Sequence, residues 1–558
     1  MSLRALSLFA ALLLSASCTP GAGPRPPSAS QPPSGPRLTS ASPMPQGPVF
    51  RTACALPKEH LRRLRRGYYP GRSPEIVAVP KTPNFFGNFT ATTHSGPWNY
   101  LQKVPLVLYG PGFVKARGEL RLERETTLAD LAPTVAELLG TRLPQPRPGE
   151  PVAEALRERT QRRPKLVVVV VWDGGGWNVL RRWPGAWPQL ERLIARGTSV
   201  EDALVGSSPS VTPAIHATVG TGAFPKQHGI VDIPLRAGTD VVGSWDGQSP
   251  TYLTTRSLAD VYDLATDNRA QIAMVAEKGW HLGMIGHGAA LEGADHDVAV
   301  MGDQPGLLYT NPRFYDLPEY LQNVSGYEHD VRAVDALDGE VDGLWRGHDM
   351  LSDPEDLRLT PTFSLYQNRL IEELVKREGY GRDSVTDLLF INYKQIDLVG
   401  HTWNMNAPEE QDAIRFSDRA LGELVTMLDD SVGRRQWVLA LTADHGQTPL
   451  TKSSEAWPIE TNEMVRDIVD HFEVSEKLVQ DNRPGALWLD VPYMKRRGIG
   501  LVGVSKMLLS YQASDNAIEG EPTPEQFRGQ MSERVFESVF PYSWMPQLWK
   551  CAKQKAKE

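Results

Sequence analysis

The sequence has few cysteines and no hydrophobic run long enough to cross a membrane. Three of its 558 residues are cysteines, which excludes a small scaffold held together by disulfides. The apolar run at 5–16 is shorter than the roughly 20 residues that a membrane-spanning helix needs, and no other stretch reaches that length. The sequence therefore predicts no transmembrane helix.

Positive charge is not in excess either. Lys and Arg number 59 against 67 Asp and Glu, which gives a net charge of -8. Such a chain has no overall basic field to attract a phosphodiester polymer, so no nucleic-acid polymer is expected as a partner. The hydrophobic fraction of 41% and the charged fraction of 23% are typical of a folded globular protein.

Several enzyme signatures are missing as well. The sequence contains no Cys-x-Pro-x-Arg sulfatase site, no Gly-x-Ser-x-Gly elbow and no P-loop. It also has no internal repeat of fixed period, which argues against a solenoid or a propeller. Its chemistry must come from another set of residues.

The first 50 residues differ in composition from the rest. Residues 1–18 combine one early basic residue with an apolar run and small residues, as an export signal does. The end of that segment, Leu-Ser-Ala-Ser-Cys18, resembles a bacterial lipoprotein box, so we expect either lipidation of Cys18 or plain cleavage. Residues 19–50 are rich in Pro, Ser and Gly and predict a linker. We expect an exported protein, either a cell-surface lipoprotein or a secreted or periplasmic one.

Cys54 and Cys551 remain if Cys18 carries a lipid. An even number of cysteines in an oxidising compartment favours pairing, so we predict a disulfide between Cys54 and Cys551. Two unrelated free thiols are the alternative.

Buried strands alternate with helical patterns through most of the chain. The run Lys165–Trp172 is continuously apolar and β-branched, as in a strand buried on both faces of a parallel sheet. Alternation of strands and helices predicts an α/β fold with a mostly parallel central sheet flanked by helices. Residues 295–350 are rich in Gly and Asp and predict a loop-rich cap insertion. The other predicted strands are 271–275, 387–392 and 436–441, and the clearest helices are 188–196 and 413–429.

Carboxylates and histidines follow three of these strands. Asp173 follows the first strand, Asp397 and His401 follow the third, and Asp444 and His445 follow the fourth. Taken singly, they read as a helix cap, a surface pair and a hydrogen-bonded corner. Ligand sites of open α/β sheets lie beyond the carboxyl ends of the strands, however, and these side chains suit Zn²⁺ or a similar ion. Five such side chains exceed the needs of a single zinc and predict more than one metal ion.

Thr212 is the candidate nucleophile. The pair Thr212-Pro213 predicts a helix N-cap followed by proline at the first helical position. A hydroxyl at a helix N-terminus also faces backbone donors and the positive end of the helix dipole, where a phosphate binds well. Capping and nucleophilic roles are compatible.

Together these motifs resemble the alkaline phosphatase superfamily, in its branch with a threonine nucleophile. That branch contains the nucleotide pyrophosphatase/phosphodiesterases and the zinc-only alkaline phosphatases. The resemblance implies an alkaline-phosphatase-like fold, two divalent metal ions, with zinc favoured, and a phosphothreonine intermediate. It places one metal on Asp173, Thr212, Asp444 and His445, and the other on Asp397 and His401. The motifs are Val-Trp-Asp173-Gly, Thr212-Pro-Ala-Ile-His216, Pro225-Lys-Gln-His228-Gly, Asp397-Leu-Val-Gly-His401 and Thr442-Ala-Asp444-His445-Gly.

In this family the second metal takes one more histidine, normally from a loop near the carboxyl terminus. Here a similar segment stands at the front, in Thr-Thr-His94-Ser-Gly, which implies a circular permutation. We therefore expect residues 51–558 to form one permuted catalytic domain, with 51–150 equivalent to the usual C-terminal ligand segment. His94 is the predicted third ligand, and His471 is the alternative.

The substrate class is less sharply defined. Lys278 fits the place of a phosphate-binding lysine of the zinc-only alkaline phosphatases, but Trp280 occupies the place of their arginine. Ile233, beside Asp232, stands where the family has an asparagine. Loss of a bidentate donor and gain of an aromatic face favour a phosphodiester or pyrophosphate, with a nucleotide or another small phosphoric ester as substrate. A phosphomonoesterase is one alternative, and a non-catalytic surface metal-binding protein is another.

Overall fold

The structure is a computed structural model that describes residues 44–88, 93–158, 162–449, 456–517 and 523–555. Residues 47–558 form one compact unit. The predicted export signal, the lipidation at Cys18 and most of the predicted linker lie outside the described residues. The first helix, Pro48–Ala55, begins inside the range predicted as linker, so folded structure starts slightly earlier than expected.

A nine-stranded sheet forms the centre of the molecule. All of its strands run parallel except β3, which is antiparallel to both neighbours and confirms the mostly parallel α/β prediction. In order across the sheet, the strands are β11 (Tyr315–Asp316), β10 (Asp297–Met301), β9 (Ile272–Ala276), β12 (Asp387–Tyr393), β5 (Leu166–Trp172), β13 (Trp437–Thr442), β3 (Leu106–Tyr109), β6 (Thr198–Val200) and β4 (Gly118–Leu120).

Strand β5 shows why the apolar runs fold as central strands. Every residue of Leu166–Trp172 is buried, and successive side chains point to opposite faces of the sheet. Val167, Val169 and Val171 join the hydrophobic core on one face, whereas Val168 and Val170 join the core on the other. The carboxyl end of β5 thus opens between two packed layers.

Helices cover both faces of this sheet and surround the smaller sheets. They are α1 (Pro48–Ala55), α2 (Lys58–Gly67), α3 (Asn99–Gln102), α4 (Leu131–Leu139), α5 (Trp177–Leu180), α6 (Pro188–Arg196), α7 (Thr212–Thr221), α8 (Pro225–His228), α9 (Leu258–Ala265), α10 (Tyr327–Asp335), α11 (Pro354–Leu357), α12 (Thr362–Glu378), α13 (Gln395–Trp403), α14 (Pro408–Leu428), α15 (Thr461–His471), α16 (Val491–Arg497), α17 (Leu501–Leu509) and α18 (Met545–Lys555).

A second, antiparallel sheet is built from both ends of the described chain. Strand β1 (Ile76–Pro80) lies between β16 (Ala486–Leu489) and β17 (Phe536–Pro541), and β15 (Val479–Arg483) pairs with β16. Near this sheet a disulfide joins Cys54 of α1 to Cys551 of α18, and their Cα atoms are 6.1 Å apart. The remaining strands form two short pairs, β2 (Phe85–Phe86) with β14 (Pro458–Ile459), and β7 (Pro234–Ala237) with β8 (Asp240–Gly243).

The segment 295–350, predicted as a loop-rich cap insertion, contains more regular structure than expected. Its first part holds β10 and β11, which extend the central sheet beside β9. The apolar run of β10, Val298–Met301, is only four residues long and is flanked by Asp297 and Gly302, which hid the strand. The following segment contains α10, whose Val334 packs into the core on one face of the sheet.

No helix in the described part of the chain is long and apolar enough to cross a membrane.

Candidate metal centre

The predicted carboxylates meet at one edge of the central sheet. Asp173 follows β5 directly, Asp444 and His445 follow β13, and Asp397 lies in the first turn of α13 after β12. These three strands are neighbours and run parallel, so their carboxyl ends open at the same place. All four side chains are buried.

Donor atoms converge on the ring of His445. Its Nε2 atom lies 3.5 Å from Asp173 Oδ1, 3.4 Å from Asp444 Oδ2 and 3.8 Å from Asp397 Oδ1. The other ring nitrogen, Nδ1, faces the carbonyl of Gly446 at 3.0 Å and donates to it, so Nε2 is the ring atom turned toward the carboxylates.

Three of these buried atoms have no hydrogen-bond partner in the part of the chain that the structure describes. They are Asp397 Oδ1, Asp444 Oδ2 and His445 Nε2. Orphaned buried lone pairs cost free energy unless a ligand satisfies them. This donor set of carboxylate oxygens and imidazole nitrogens fits a divalent ion such as zinc.

His94 lies in the same place, although it is far away in sequence. Its ring stacks on that of His445, with centroids 3.4 Å apart, and its Nε2 is 3.7 Å from Asp397 Oδ1. The carbonyl of Ser210 lies 2.8 Å from His94 Nδ1, so this histidine also presents Nε2 to the site. His94, Asp397 and His445 form one set with metal-ligand spacing, and Asp173, Asp444 and His445 form another.

The two remaining histidines of the prediction lie in different environments. His401 Nε2 is 3.2 Å from Asp397 Oδ1, and its ring centroid is 5.2 Å from that of His94. His471, the alternative ligand, is exposed at the end of α15 with its ring against Phe472. The structure thus brings His94 and His401 to Asp397, and it does not group His471 with the candidate ligands of the described residues.

Thr212 is the first residue of α7, and its side chain is buried. The expected N-cap role is wrong, because Val211 is the N-cap residue and no side chain caps the helix. The helix begins one residue earlier than predicted, since proline is also tolerated at the second helical position. The hydroxyl of Thr212 is therefore available to the site.

Lys394 is a site residue that the sequence prediction missed. Its Nζ lies 2.8 Å from Asp173 Oδ1, 2.6 Å from Asp397 Oδ2 and 3.3 Å from Thr212 Oγ1. Burial alone would lower the pKa of this ammonium, but the carboxylates of Asp173 and Asp397 raise it above the ordinary lysine value. Lys394 is a permanent cation between the carboxylates and the hydroxyl. Its position immediately after β12, at the sheet edge that holds the ligands, is the signal that could have identified it.

The same electrostatics act on the carboxylates. Burial raises the pKa of Asp397, but Lys394 and His401 outweigh it and hold that pKa well below the usual range. Burial and the neighbouring Asp173 raise the pKa of Asp444 to about 7. Burial opposes a charge on His445, but Asp444, Asp173 and Asp397 raise its pKa to about 9, so the carboxylates of the centre favour a second cation beside Lys394.

The residues predicted to contact substrate lie around a 3-10 helix, Gly279–Met284. Lys278 Nζ is 5.2 Å from the ring centroid of Trp280, and both side chains are partly exposed. Asp232 is fully buried, burial raises its pKa to about 7, and it accepts a hydrogen bond from the backbone N–H of Ile233. Asp232 therefore does not supply an exposed donor in place of the family's asparagine.

Comparisons with known proteins identify the family of this chain. Residues 167–496 match the family described as type I phosphodiesterase / nucleotide pyrophosphatase. The chain is 24% identical over 338 residues to the alkaline phosphatase PhoV of Synechococcus elongatus. The aligned residues cover 52% of this chain and 60% of that protein. It is also 24% identical to the alkaline phosphatase PafA of Elizabethkingia meningoseptica, over 57% of this chain and 66% of that protein. It thus spans three fifths to two thirds of the length of these relatives.

The fold is also similar to a solved structure. The crystal structure of wild-type alkaline phosphatase PafA matches with a TM-score of 0.53 at 19% identity, covering 69% of this chain and 85% of that chain. At this identity the likeness concerns the fold alone. Since the family match covers more than half of the sequence, the chain belongs to the type I phosphodiesterase / nucleotide pyrophosphatase family.

Proposed function

We propose that this protein is a two-metal hydrolase of phosphoric esters that acts through Thr212. The observation that carries the proposal is the convergence of ligand atoms from Asp397, Asp444 and His445, none with a hydrogen-bond partner among the described residues, near the buried Thr212 hydroxyl. Family membership and the curated relatives, both named alkaline phosphatases, support the same class of reaction.

The donors divide into two sets. Asp173, Thr212, Asp444 and His445 would hold one ion, and Asp397, His401 and His94 would hold the other. Imidazole together with carboxylate favours zinc among the common divalent ions. When bound, the two ions supply Lewis acidity to the phosphoryl oxygens and to the attacking and leaving oxygens.

The chain's own residues perform the remaining steps. Thr212 Oγ1 forms a bond to phosphorus while the bond to the leaving alcohol breaks, and the hydroxyl proton departs with that alcohol. Lys394, 3.3 Å from Oγ1, stabilises negative charge on the attacking oxygen. Water then cleaves the phosphothreonine, which restores the hydroxyl and releases the phosphorylated product.

We propose a phosphodiester or pyrophosphate as the substrate, with an organic group stacked on Trp280. Trp280 is partly exposed beside Lys278, so its aromatic face and the ammonium are presented together. A phosphomonoester is the second candidate. It is favoured by Lys278, whose charge would meet the additional anionic oxygen, and by the names of the relatives.

Paired kinetics on an aryl phosphodiester and an aryl phosphate test the proposal in one zinc-loaded preparation. Thr212→Ala is expected to abolish turnover of both substrates while zinc stays bound, and Thr212→Ser keeps a hydroxyl and is the matched control. Faster turnover of the diester supports the phosphodiesterase, and faster turnover of the monoester supports the phosphatase. Two bound zinc ions without turnover of either substrate would support the non-catalytic alternative.

Two further proposals concern the chain as a whole. We propose that residues 51–558 are circularly permuted, supported by the position of His94 at the metal centre and by the disulfide that joins α1 to α18. We also propose export, on the composition of residues 1–18 alone. Mass spectrometry of the mature N-terminus distinguishes lipidated Cys18 from plain cleavage.

A further inference from the structure

An acidic cluster lies at the edge of the central sheet opposite the metal centre. Asp263 lies in the last turn of α9, Asp295 precedes β10, and Asp297 is the first residue of β10. One carboxylate oxygen of each lies within 4.8 Å of the others. Strand β10 runs parallel to β9 and β12, so its first residue stands at the amino-terminal edge of the sheet, whereas the metal centre lies beyond the carboxyl ends. The cluster is therefore separate from the site described above.

Two of the three carboxylates are buried. Asp263 and Asp297 are 2% and 6% exposed, whereas Asp295 is exposed. Burial of one ionised carboxylate is costly, and a second one beside it adds repulsion between like charges. Asp263 also stands in the last turn of its helix, where the free carbonyl groups carry partial negative charge and favour a cation. Burial, repulsion and the helix dipole thus all disfavour an unpaired carboxylate at this place.

The charged groups that surround the cluster are all negative. Burial raises the pKa of Asp297 well above its usual range, and the carboxylates of Asp263, Asp260 and Asp295 raise it further. Burial also raises the pKa of Asp263 to about 7, with Asp295 and Asp260 acting in the same direction. The negative charge of this cluster therefore has no counter-charge on the groups that act on it.

Asp263 and a neighbouring amide have oxygens without partners. Asp263 Oδ1 is buried and has no hydrogen-bond partner in the part of the chain that the structure describes. The same holds for Asn268 Oδ1, while Asn268 Nδ2 donates to the Gly293 carbonyl at 2.9 Å. The backbone N–H of Asn268 donates to the carbonyl of Asp263 at 3.0 Å, which places Asn268 between the end of α9 and the segment that leads to Asp295. An ionised carboxylate and an amide oxygen only accept, so both need a donor or a cation.

The cluster offers oxygen ligands alone. Carboxylate and amide oxygens without imidazole or thiolate select hard cations. Calcium takes about six to eight oxygen ligands in flexible geometry and completes its shell with backbone carbonyls and water, whereas magnesium demands a near-ideal octahedron. Ligands that come from a helix end, a turn and the start of a strand suit the flexible geometry of calcium.

We propose that Asp263, Asp295 and Asp297 bind a calcium ion, with Asn268 as a further oxygen ligand. The ion would neutralise the buried carboxylates and join the end of α9 to the start of β10, where Asp297 pairs with Tyr315 of β11. It would thus fasten the two strands at one end of the central sheet to the helix beside them. The site is independent of the proposed hydrolase function.

Calcium binding to the full chain tests this site directly. The protein is freed of calcium with a chelator, saturated again with zinc, and examined by equilibrium dialysis against radioactive calcium. We expect one calcium ion per chain with a Kd at or below about 1 mM, as in extracellular calcium-binding modules. Asp297→Asn is expected to abolish this binding. Asp295→Asn changes only an exposed side chain, so it keeps the test valid if the buried substitution prevents folding, and it is expected to weaken binding by about tenfold.

Thermal unfolding separates a calcium site from an acidic cluster that holds no ion. In chelator, Asp295→Asn relieves repulsion and is expected to have a higher Tm than wild type. In calcium, wild type is expected to gain Tm and Asp295→Asn to gain much less, because an ion that binds only the folded state stabilises it. Asp267→Asn is the matched control, since it neutralises an exposed carboxylate next to Asn268 and outside the cluster. It is expected to bind calcium as wild type does.

Either of two results would overturn the proposal. One is wild-type protein that keeps its zinc but binds no calcium at about 10 mM, well above the Kd of weak extracellular sites. The other is calcium binding that Asp295→Asn and Asp297→Asn both leave unchanged. Neither result affects the proposed hydrolase function, which is tested through Thr212 at the other edge of the sheet.

Discussion

Replacement of Lys394 by methionine tests the electrostatic design of the metal centre. Methionine has a similar length but no charge, so Asp173 and Asp397 lose the ammonium that lies 2.8 and 2.6 Å from their oxygens. At an effective dielectric constant of about 20, each such contact is worth about 6 kcal/mol before desolvation. The net cost of leaving buried charges unpaired is about 3–5 kcal/mol, and we expect the metal-free variant to lose this much stability against unfolding.

Zinc should offset most of this loss. The variant removes a positive charge next to the ions, so its zinc affinity is expected to rise. An ion present at 1,000 times its Kd stabilises the folded state by about 4 kcal/mol, which is enough to offset most of the loss. Unfolding by urea, followed by tryptophan fluorescence with and without zinc, measures both quantities.

Lys394→Arg is the matched control, because it keeps a cation at this position. We expect it to destabilise the metal-free protein much less than Lys394→Met does. A metal-free methionine variant as stable as wild type would refute the reasoning, since the ammonium would then contribute nothing to the balance of buried charge.

Three other predictions follow from the site and its surroundings. His94→Ala is expected to lose about one metal ion per chain and His471→Ala none, because a catalytic zinc rests on about three protein ligands; metal analysis giving the opposite pattern would remove His94 from the centre. Trp280→Arg is expected to shift the ratio of the kcat/KM values toward the aryl phosphate by about tenfold, because the arginine adds one charge-assisted hydrogen bond of about 1.5 kcal/mol. An unchanged ratio would exclude Trp280 from substrate selection. His287 contacts Asp260 Oδ2 at 2.8 Å and the Leu253 carbonyl at 3.0 Å; burial opposes its charge, but these acceptors raise its pKa above the ordinary value. The contact between His287 and Asp260 therefore contributes its full stability below a pH of about 6.5, and this contribution is lost as the pH rises through the pKa of His287 in the folded protein. An NMR titration that places this pKa at or below about 6.5 would contradict the contact.

The sequence predicted four adjacent strands of the nine-stranded sheet, because buried parallel strands have a pattern that turns and loops do not imitate. Continuous β-branched runs such as Leu166–Trp172 identified the central strands, and the rule that ligands follow strand ends then identified Asp173, Asp397 and Asp444. Short strands lack this pattern and were not predicted. The four apolar residues of β10 resemble part of a loop because their neighbours are Asp297 and Gly302.

The sequence also did not predict site residues whose role depends on tertiary contacts. A lysine after a strand is usually exposed, and only the structure shows Lys394 enclosed by carboxylates. His94 could be proposed only through the family resemblance, since nothing local in residues 93–96 distinguishes it from an ordinary loop histidine.

The place of β1 in the second sheet sets an order of events for the newly made chain. Strand β1 is among the first strands to emerge from the ribosome, yet its two partners, β16 and β17, lie at 486–489 and 536–541. Until those residues have been synthesised, both edges of β1 lack their partner strands, and the cysteine at 54 lacks the partner at 551. Assembly of this sheet thus waits until residue 541 has been synthesised, and a nascent chain that ends before β17 cannot close it. Under the export proposed above, this late closure would keep the segment around β1 unpaired while the chain passes the membrane.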